Sequence, residues 1–381
     1  MIAVMSHMQS PPTTRSARVD FLRGVAIVVV LLLHFSLTYP LSDSPLSHLL
    51  PARWLQAVIG NGNYGVTIFF VISGFLITSN NLLRYGRLAN VSLRHFYALR
   101  FSRIIPPLLL ALTVIVALGM LDVPSFGNSD GGQPMPASFF VVAVISVLTF
   151  WHNVLMERVG YFNYCLNIYW SLSVEEVFYL TFPLACILLK RDRYLIAVCA
   201  AAIVVGPIYR GLHRDDELFF MYGYLACFDA IAFGCLTALC ERYIRLSPGV
   251  LRLTRIAAGV GLVTVYLAGI EGHEAGGFSL IALFTALLLV HAFDAPDRVW
   301  PRFSPFRVVG WFGRKSYELY LFHIIVLAGM RDLVPKGTLQ YAYKLPYFVL
   351  FVALSAVVAG AVSRYVAEPL NSRLREVLVR P

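Results

Sequence analysis

Long apolar runs alternate with short polar connections along the whole chain. The first run, Val19–Tyr39 (VDFLRGVAIVVVLLLHFSLTY), has about the length a helix needs to cross a bilayer. Comparable runs follow at Ala57–Thr78, Ile104–Met120, Trp170–Leu189, Tyr194–Tyr209, Leu218–Leu239, Ile256–Ile270, Phe278–Phe293, Ser316–Leu333 and Pro346–Val366. The pattern predicts an all-α, polytopic transmembrane helical bundle of about ten spans. Eleven is the alternative, because Ala137–Trp151 is apolar but short. Pro106 and Pro107 are expected in the first turn of the third span, where a missing amide is tolerated.

Composition agrees with the pattern. Hydrophobic residues make up 58% of the 381 positions and charged residues only 14%, against about a quarter charged in soluble domains. The net charge of +10 sits in short loops between apolar runs, where cytoplasmic connections carry it, so nucleic acid is excluded as the partner and a lipid bilayer is expected. Arg84, Arg87, Arg94, Arg100 and Arg103 occur with no acid among them and mark one such connection. Lys190–Arg193, Arg242–Arg255 and the loop with Arg302, Arg307, Arg314 and Lys315 mark others. Both termini are cytoplasmic if Ala137–Trp151 does not fully cross. The six cysteines form no CxxC pair and read as small buried hydrophobes, with no metal site expected. Residues 1–18 are expected as a cytoplasmic tail before an uncleaved first span, 19–370 as the membrane domain, and 371–381 as a second tail. No appended soluble domain is expected.

Ionisable residues inside the spans then stand out. Arg23 and His34 are eleven residues apart, which on a helix returns to nearly one face and separates them by roughly 16 Å. Each costs about 2.5–3.5 kcal/mol inside a span by insertion scales. Either Arg23 snorkels and His34 donates to a neighbouring carbonyl, or both serve chemistry. Arg100 and Arg103 share a face at i, i+3 and either anchor the helix or grip phosphates. Ser73 and Gly74 read first as a close helix contact. Glu175 and Glu176 point about 100° apart. A capping box from Ser173 to Glu176 accounts for one of them. Trp170 and Tyr169 read as interface anchors. Tyr317, Tyr320 and His323 recur every three residues and either line a pocket or bond between helices.

Six segments together resemble a known family. They are Phe21–His34 (FLRGVAIVVVLLLH, Arg-x10-His), Gly65–Thr78 (GVTIFFVISGFLIT), Phe96–Pro106 (FYALRFSRIIP), Trp170–Leu180 (WSLSVEEVFYL), Ser316–His323 (SYELYLFH) and the Glu-Pro of Ala367–Pro369. In this order, over essentially the whole chain, they resemble acyltransferase family 3, the bacterial inner-membrane O-acyltransferases of surface polysaccharides, Nod factors, glucans and some macrolides. The resemblance implies transfer of an acyl group, usually acetyl from acetyl-CoA, to a hydroxyl of a glycan, glycolipid or macrolide-like acceptor, with no bound cofactor. It places His34 as general base, or alternatively as acyl carrier, with Glu175 as a partner for an imidazole or an arginine. Arg23, Arg100 and Arg103 fall on the donor, and Tyr320 and His323 on the substrate pocket. His34 is expected to look across one shared cavity toward the arginines. Two positions depart from the family pattern: Val177 replaces a glutamine, and Cys227 replaces the arginine expected near Asp229. Two rival readings share the residues: a transporter with a His34/Glu175 proton relay, and an acyl relay passing the group across the membrane to a partner enzyme.

Overall fold

The computed structural model describes residues 16–130, 134–293 and 304–379. The N-terminal tail up to residue 15 and Arg302 of the basic loop therefore lie outside the described residues. The described chain is helical throughout. α1 (Ala17–Thr38) is followed by α2 (Ala52–Gly60), which runs through a 3-10 turn into α3 (Tyr64–Tyr85), then by α4 (Leu93–Met120). Two short helices, α5 (Phe139–Leu148) and α6 (His152–Val159), precede α7 (Trp170–Leu189) and α8 (Asp192–Leu212). The short α9 (Glu217–Tyr222) leads into α10 (Tyr224–Cys240), followed by α11 (Pro248–Ala268) and α12 (Glu274–Leu289). α13 (Pro305–Arg314), α14 (Ser316–Leu333), α15 (Lys344–Val362) and α16 (Glu368–Val379) complete the described chain.

Eight helical stretches among the described residues have both the length and the hydropathy to cross a membrane. Two more of the ten predicted spans miss that measure for visible reasons. α12 has only 16 residues, and α14 carries Glu318, Arg331 and Asp332 within its 18. α5, at ten residues, is about 15 Å long, half the thickness of a hydrocarbon core, and does not cross it. The third span begins earlier than its apolar run. Ser92 Oγ accepts from the His95 amide at 3.4 Å and caps α4 there. Pro106 and Pro107 consequently lie inside the helix rather than in its first turn, where their missing amides leave the Ser102 and Arg103 carbonyls without i+4 donors.

α3 forms the middle of the bundle, packed against α1, α10 and α12. The reading of Gly74 as a close-contact residue holds: a Cβ there would strike the Ile231 carbonyl, and one at Gly234 would strike that of Val71. Replacing Gly74 by valine is expected to cost about 2–3 kcal/mol through overpacking. Gly276, with nothing within 4 Å of its would-be Cβ, is expected to accept alanine without loss. Thermal melting of the two purified variants in detergent checks this, and equal midpoints would refute it. Outer helices turn apolar side chains away from the protein, among them Leu253, Val260 and Val263 of α11 and Val349 and Val357 of α15, as lipid-facing surfaces require.

Two further contacts position the interior. α13 lies so close to α1 that Gly313 abuts the Asp20 carbonyl and Gly24 that of Val309, which delivers the start of α14 to Arg23. α14 then runs beside α1. Beyond a π-helical turn at Ser363–Ala367, the expected C-terminal tail continues as α16, packed along α4.

Candidate active site

Two adjoining cavities between the helices together contain most of the residues the sequence singled out. The first, of about 110 Å³, is lined by Arg23, Arg100, Arg103, Glu175, Glu176 and Tyr179 among others. Arg23 does not snorkel: its Nε and Nη2 both donate to Ser316 Oγ, at 3.1 and 2.8 Å. Arg100 packs its guanidinium 5.2 Å from the Tyr179 ring centroid and 5.9 Å from that of Phe96, a geometry that favours a cation. The Tyr179 hydroxyl shares a 2.6 Å bond with Ser73 Oγ and lies 3.3 Å from Glu175 Oε2.

The second cavity, of about 550 Å³, contains His34. Val66, Phe70 and Tyr320 line both cavities and so form the wall along which the two adjoin. The chamber expected to be shared by His34 and the arginines is two adjoining cavities that have these three residues in common. Tyr320 is held in that wall by Ser171 Oγ at 2.6 Å and the Ile168 carbonyl at 2.9 Å.

His34 is paired with His323, not with Glu175. His323 Nε2 stands 3.1 Å from His34 Nδ1, and the rings are 5.0 Å apart. The carbonyls on either side assign the protons. His323 Nδ1 lies 2.9 Å from the Leu319 carbonyl and must donate to it, leaving Nε2 of the neutral ring as an acceptor. His34 Nδ1 therefore carries its own proton, shared between His323 Nε2 and the Val30 carbonyl at 3.1 Å. His34 Nε2 is left with its lone pair and finds no hydrogen-bond partner among the described residues. His323 is fully buried and does not line either cavity. Its expected place in the substrate pocket is corrected to one behind His34, holding that ring. Glu175 lines the first cavity with the arginines, where it accepts from the Tyr179 hydroxyl, and not the cavity that contains His34.

Other expectations change because α7 starts earlier than the capping box required. Its first residue is Trp170 and it has no side-chain cap, so Ser173 lies within the helix, where its Oγ accepts from the His152 amide at 3.0 Å. Tyr169 is buried and Trp170 packs 4.5 Å from Tyr222 at the wall of the second cavity, so neither is an interface anchor.

Asp229 also lines the second cavity, and its partner comes from another helix. Arg210 of α8 meets both carboxylate oxygens, at 3.1 and 2.7 Å, with both side chains essentially inaccessible. Ser279 Oγ bonds both partners at 2.6 Å, and the Ala226 and Ala275 carbonyls accept the remaining guanidinium protons. Sequence reasoning missed Arg210, although an arginine closing an apolar run opposite a buried aspartate is the available signal. In the loop before α5, burial pushes the Asp130 carboxyl above the ordinary carboxylate range, with Arg331 pulling it back.

These features define an integral membrane protein whose own helices enclose a cationic chamber and an imidazole-bearing chamber. The chain belongs to the acyltransferase domain family, which its residues 16–364 match. It is 25% identical to the O-acetyltransferase OatA of Staphylococcus aureus over 93% of this chain and 57% of that protein. It is 24% identical to the peptidoglycan O-acetyltransferase OatA of Listeria monocytogenes over 94% of this chain and 57% of that one. The chain thus spans little more than half the length of these relatives. No solved structure matches it.

Proposed function

We propose that the chain is a membrane O-acyltransferase that moves an acetyl group from acetyl-CoA to a hydroxyl of a glycan or related acceptor. The observation that carries this reading is the unpartnered Nε2 of His34, aimed by His323, in a cavity that adjoins the one lined by three arginines. The acceptor hydroxyl gives its proton to His34 Nε2 as its oxygen bonds to the thioester carbonyl carbon. The carbon–sulfur bond breaks, and the proton passes to the departing sulfur. Arg100 and Arg103 face the phosphates of the donor, and Arg23 faces the start of its pantetheine arm, whose far end carries the thioester to His34. The long pantetheine arm suits the roughly 16 Å between Arg23 and His34 along α1. A direct proton relay between His34 and Glu175 is disfavoured because the two line different chambers.

The names of the relatives support acetyl as the group and a cell-wall glycan as the class of acceptor. The basic connections support an inner membrane placement with both termini in the cytoplasm. The test uses the purified full chain in nanodiscs with radiolabelled acetyl-CoA. Label is expected to move to glycan or to water, and Arg103→Glu is expected to raise KM for acetyl-CoA at least about tenfold with kcat little changed. Absence of any turnover, or an unchanged KM in the variant, would count against the reading. Envelope glycans from cells with and without the gene should differ by one acetyl on a single class of molecule.

A further inference from the structure

The chamber that holds His34 has a charge character that acyl transfer alone does not require. Among the described residues no lysine or arginine lines it, whereas Asp130, Glu217 and Asp229 do. Asp229 is neutralised by Arg210. Among the described residues the other two hydrogen-bond only with neutral donors at the wall: Asn167 Nδ2 lies 3.1 Å from Asp130 Oδ2, and the Tyr161 hydroxyl 3.4 Å from Glu217 Oε1. Besides Arg210, Arg331 packs on this wall, stacked behind Tyr164 at 4.7 Å; it and Lys336 act on Asp130 from outside the lining. Aromatic faces complete the chamber, with Trp170 against Tyr222 and Tyr161 6.2 Å from Tyr222.

The volume of about 550 Å³ is that of a small-molecule site. Flat aromatic faces suit the C–H faces of a sugar ring, and carboxylates accept from its hydroxyls or from an ammonium group. The same carboxylates, Asp130 half-buried and Glu217 exposed at the rim, repel a uronate or a phosphate, most strongly at low ionic strength. We propose that this chamber is an acceptor subsite for a pyranose that is neutral or amino-bearing, stacked near Trp170 and Tyr222, held by Asp130 and Glu217, and selected against negative charge. The proposal rests on the acyltransferase reading and adds to it the charge class of the acceptor.

Calorimetric binding to the full chain in nanodiscs tests it with three tetrasaccharides, of N-acetylglucosamine, glucosamine and galacturonate. The first two are expected to bind saturably and the third at least about tenfold more weakly. Glu217→Gln is expected to weaken the glucosamine tetramer about tenfold, and Glu217→Lys to narrow or reverse the gap to galacturonate, with melting midpoints reporting that both variants are folded. Galacturonate binding as tightly as the others, no binding of any tetramer, or a ranking that folded Glu217 variants leave unchanged would overturn the subsite. Acetyl-CoA turnover in the same preparations separates the two ideas. Turnover with a flat ranking overturns the subsite alone, and absence of turnover overturns the underlying reading as well.

Discussion

Replacing His34 by alanine is expected to lower acetyl transfer by a factor of about 10²–10⁴, with KM for acetyl-CoA nearly unchanged. The range is that of a positioned general base, and the proposed donor site is the other chamber, lined by Arg23, Arg100 and Arg103. His323 refines the expectation, because it acts through His34. Its Nε2 accepts the His34 Nδ1 proton and so keeps the lone pair on the nitrogen that faces the acceptor. His323→Leu removes that acceptor and is expected to lower kcat by about tenfold or more, again without a change in KM. His323→Gln retains an acceptor oxygen and should recover part of the loss, a rescue that a purely space-filling histidine would not produce. Steady-state kinetics on the purified variants, with folding checked by melting, measure all three. Full activity in His34→Ala would end the assignment of the base, and equal losses in the leucine and glutamine variants would end that of the positioning residue.

The largest stability effect is expected at the ion pair behind the second chamber. Arg210→Met alone would leave the Asp229 carboxylate buried without its cation, and breaking such pairs typically costs about 3–5 kcal/mol. Asp229→Leu alone strands the guanidinium in the same way. The double variant Arg210→Met/Asp229→Leu removes both charges, and replacement of a buried pair by apolar residues is often neutral, so its stability should return to within about 1 kcal/mol of the wild type. Thermal unfolding of the three variants in nanodiscs reads this directly. If the double variant falls by the sum of the single losses, the pair is not coupled and the account of Asp229 fails. The contrast also explains how the chain tolerates Cys227 where the family places an arginine. The cation that Asp229 needs arrives from α8 instead, with Ser279 of α12 bonded to both partners.

Much of the bundle was legible in the chain. Apolar runs marked the spans, and Gly74 marked a backbone contact. Arg23, Arg100 and Arg103 stood out as cations in or beside spans, and the structure brings them into one cavity. Glu175 was legible as an unusual charge but not by its partner, because a helix position reveals an angle and not the helix that will face it. The His34–His323 contact joins residues 289 apart, and Arg210 and Asp229 come from different helices. The capping box at Ser173 and the early placement of Pro106 failed for a more local reason. α4 begins at Leu93, outside its apolar run, since hydropathy marks the part of a helix that meets lipid and not the part that is hydrogen-bonded, whereas α7 begins at Trp170, the first residue of its run, so Ser173 lies inside the helix instead of capping it.

Amino-acid order alone determined that this protein is a multi-span helical bundle carrying a few costly charges in its interior, because the length and period of apolar runs are local properties fixed by the need to bond every backbone amide in a dry medium. Tertiary packing alone decided how those charges are sorted: arginines and glutamates into one chamber, the imidazole into another, with Tyr320 and Phe70 between. Such sorting depends on which helices touch, which is set by close contacts such as Gly24 on Val309 and Gly313 on Asp20.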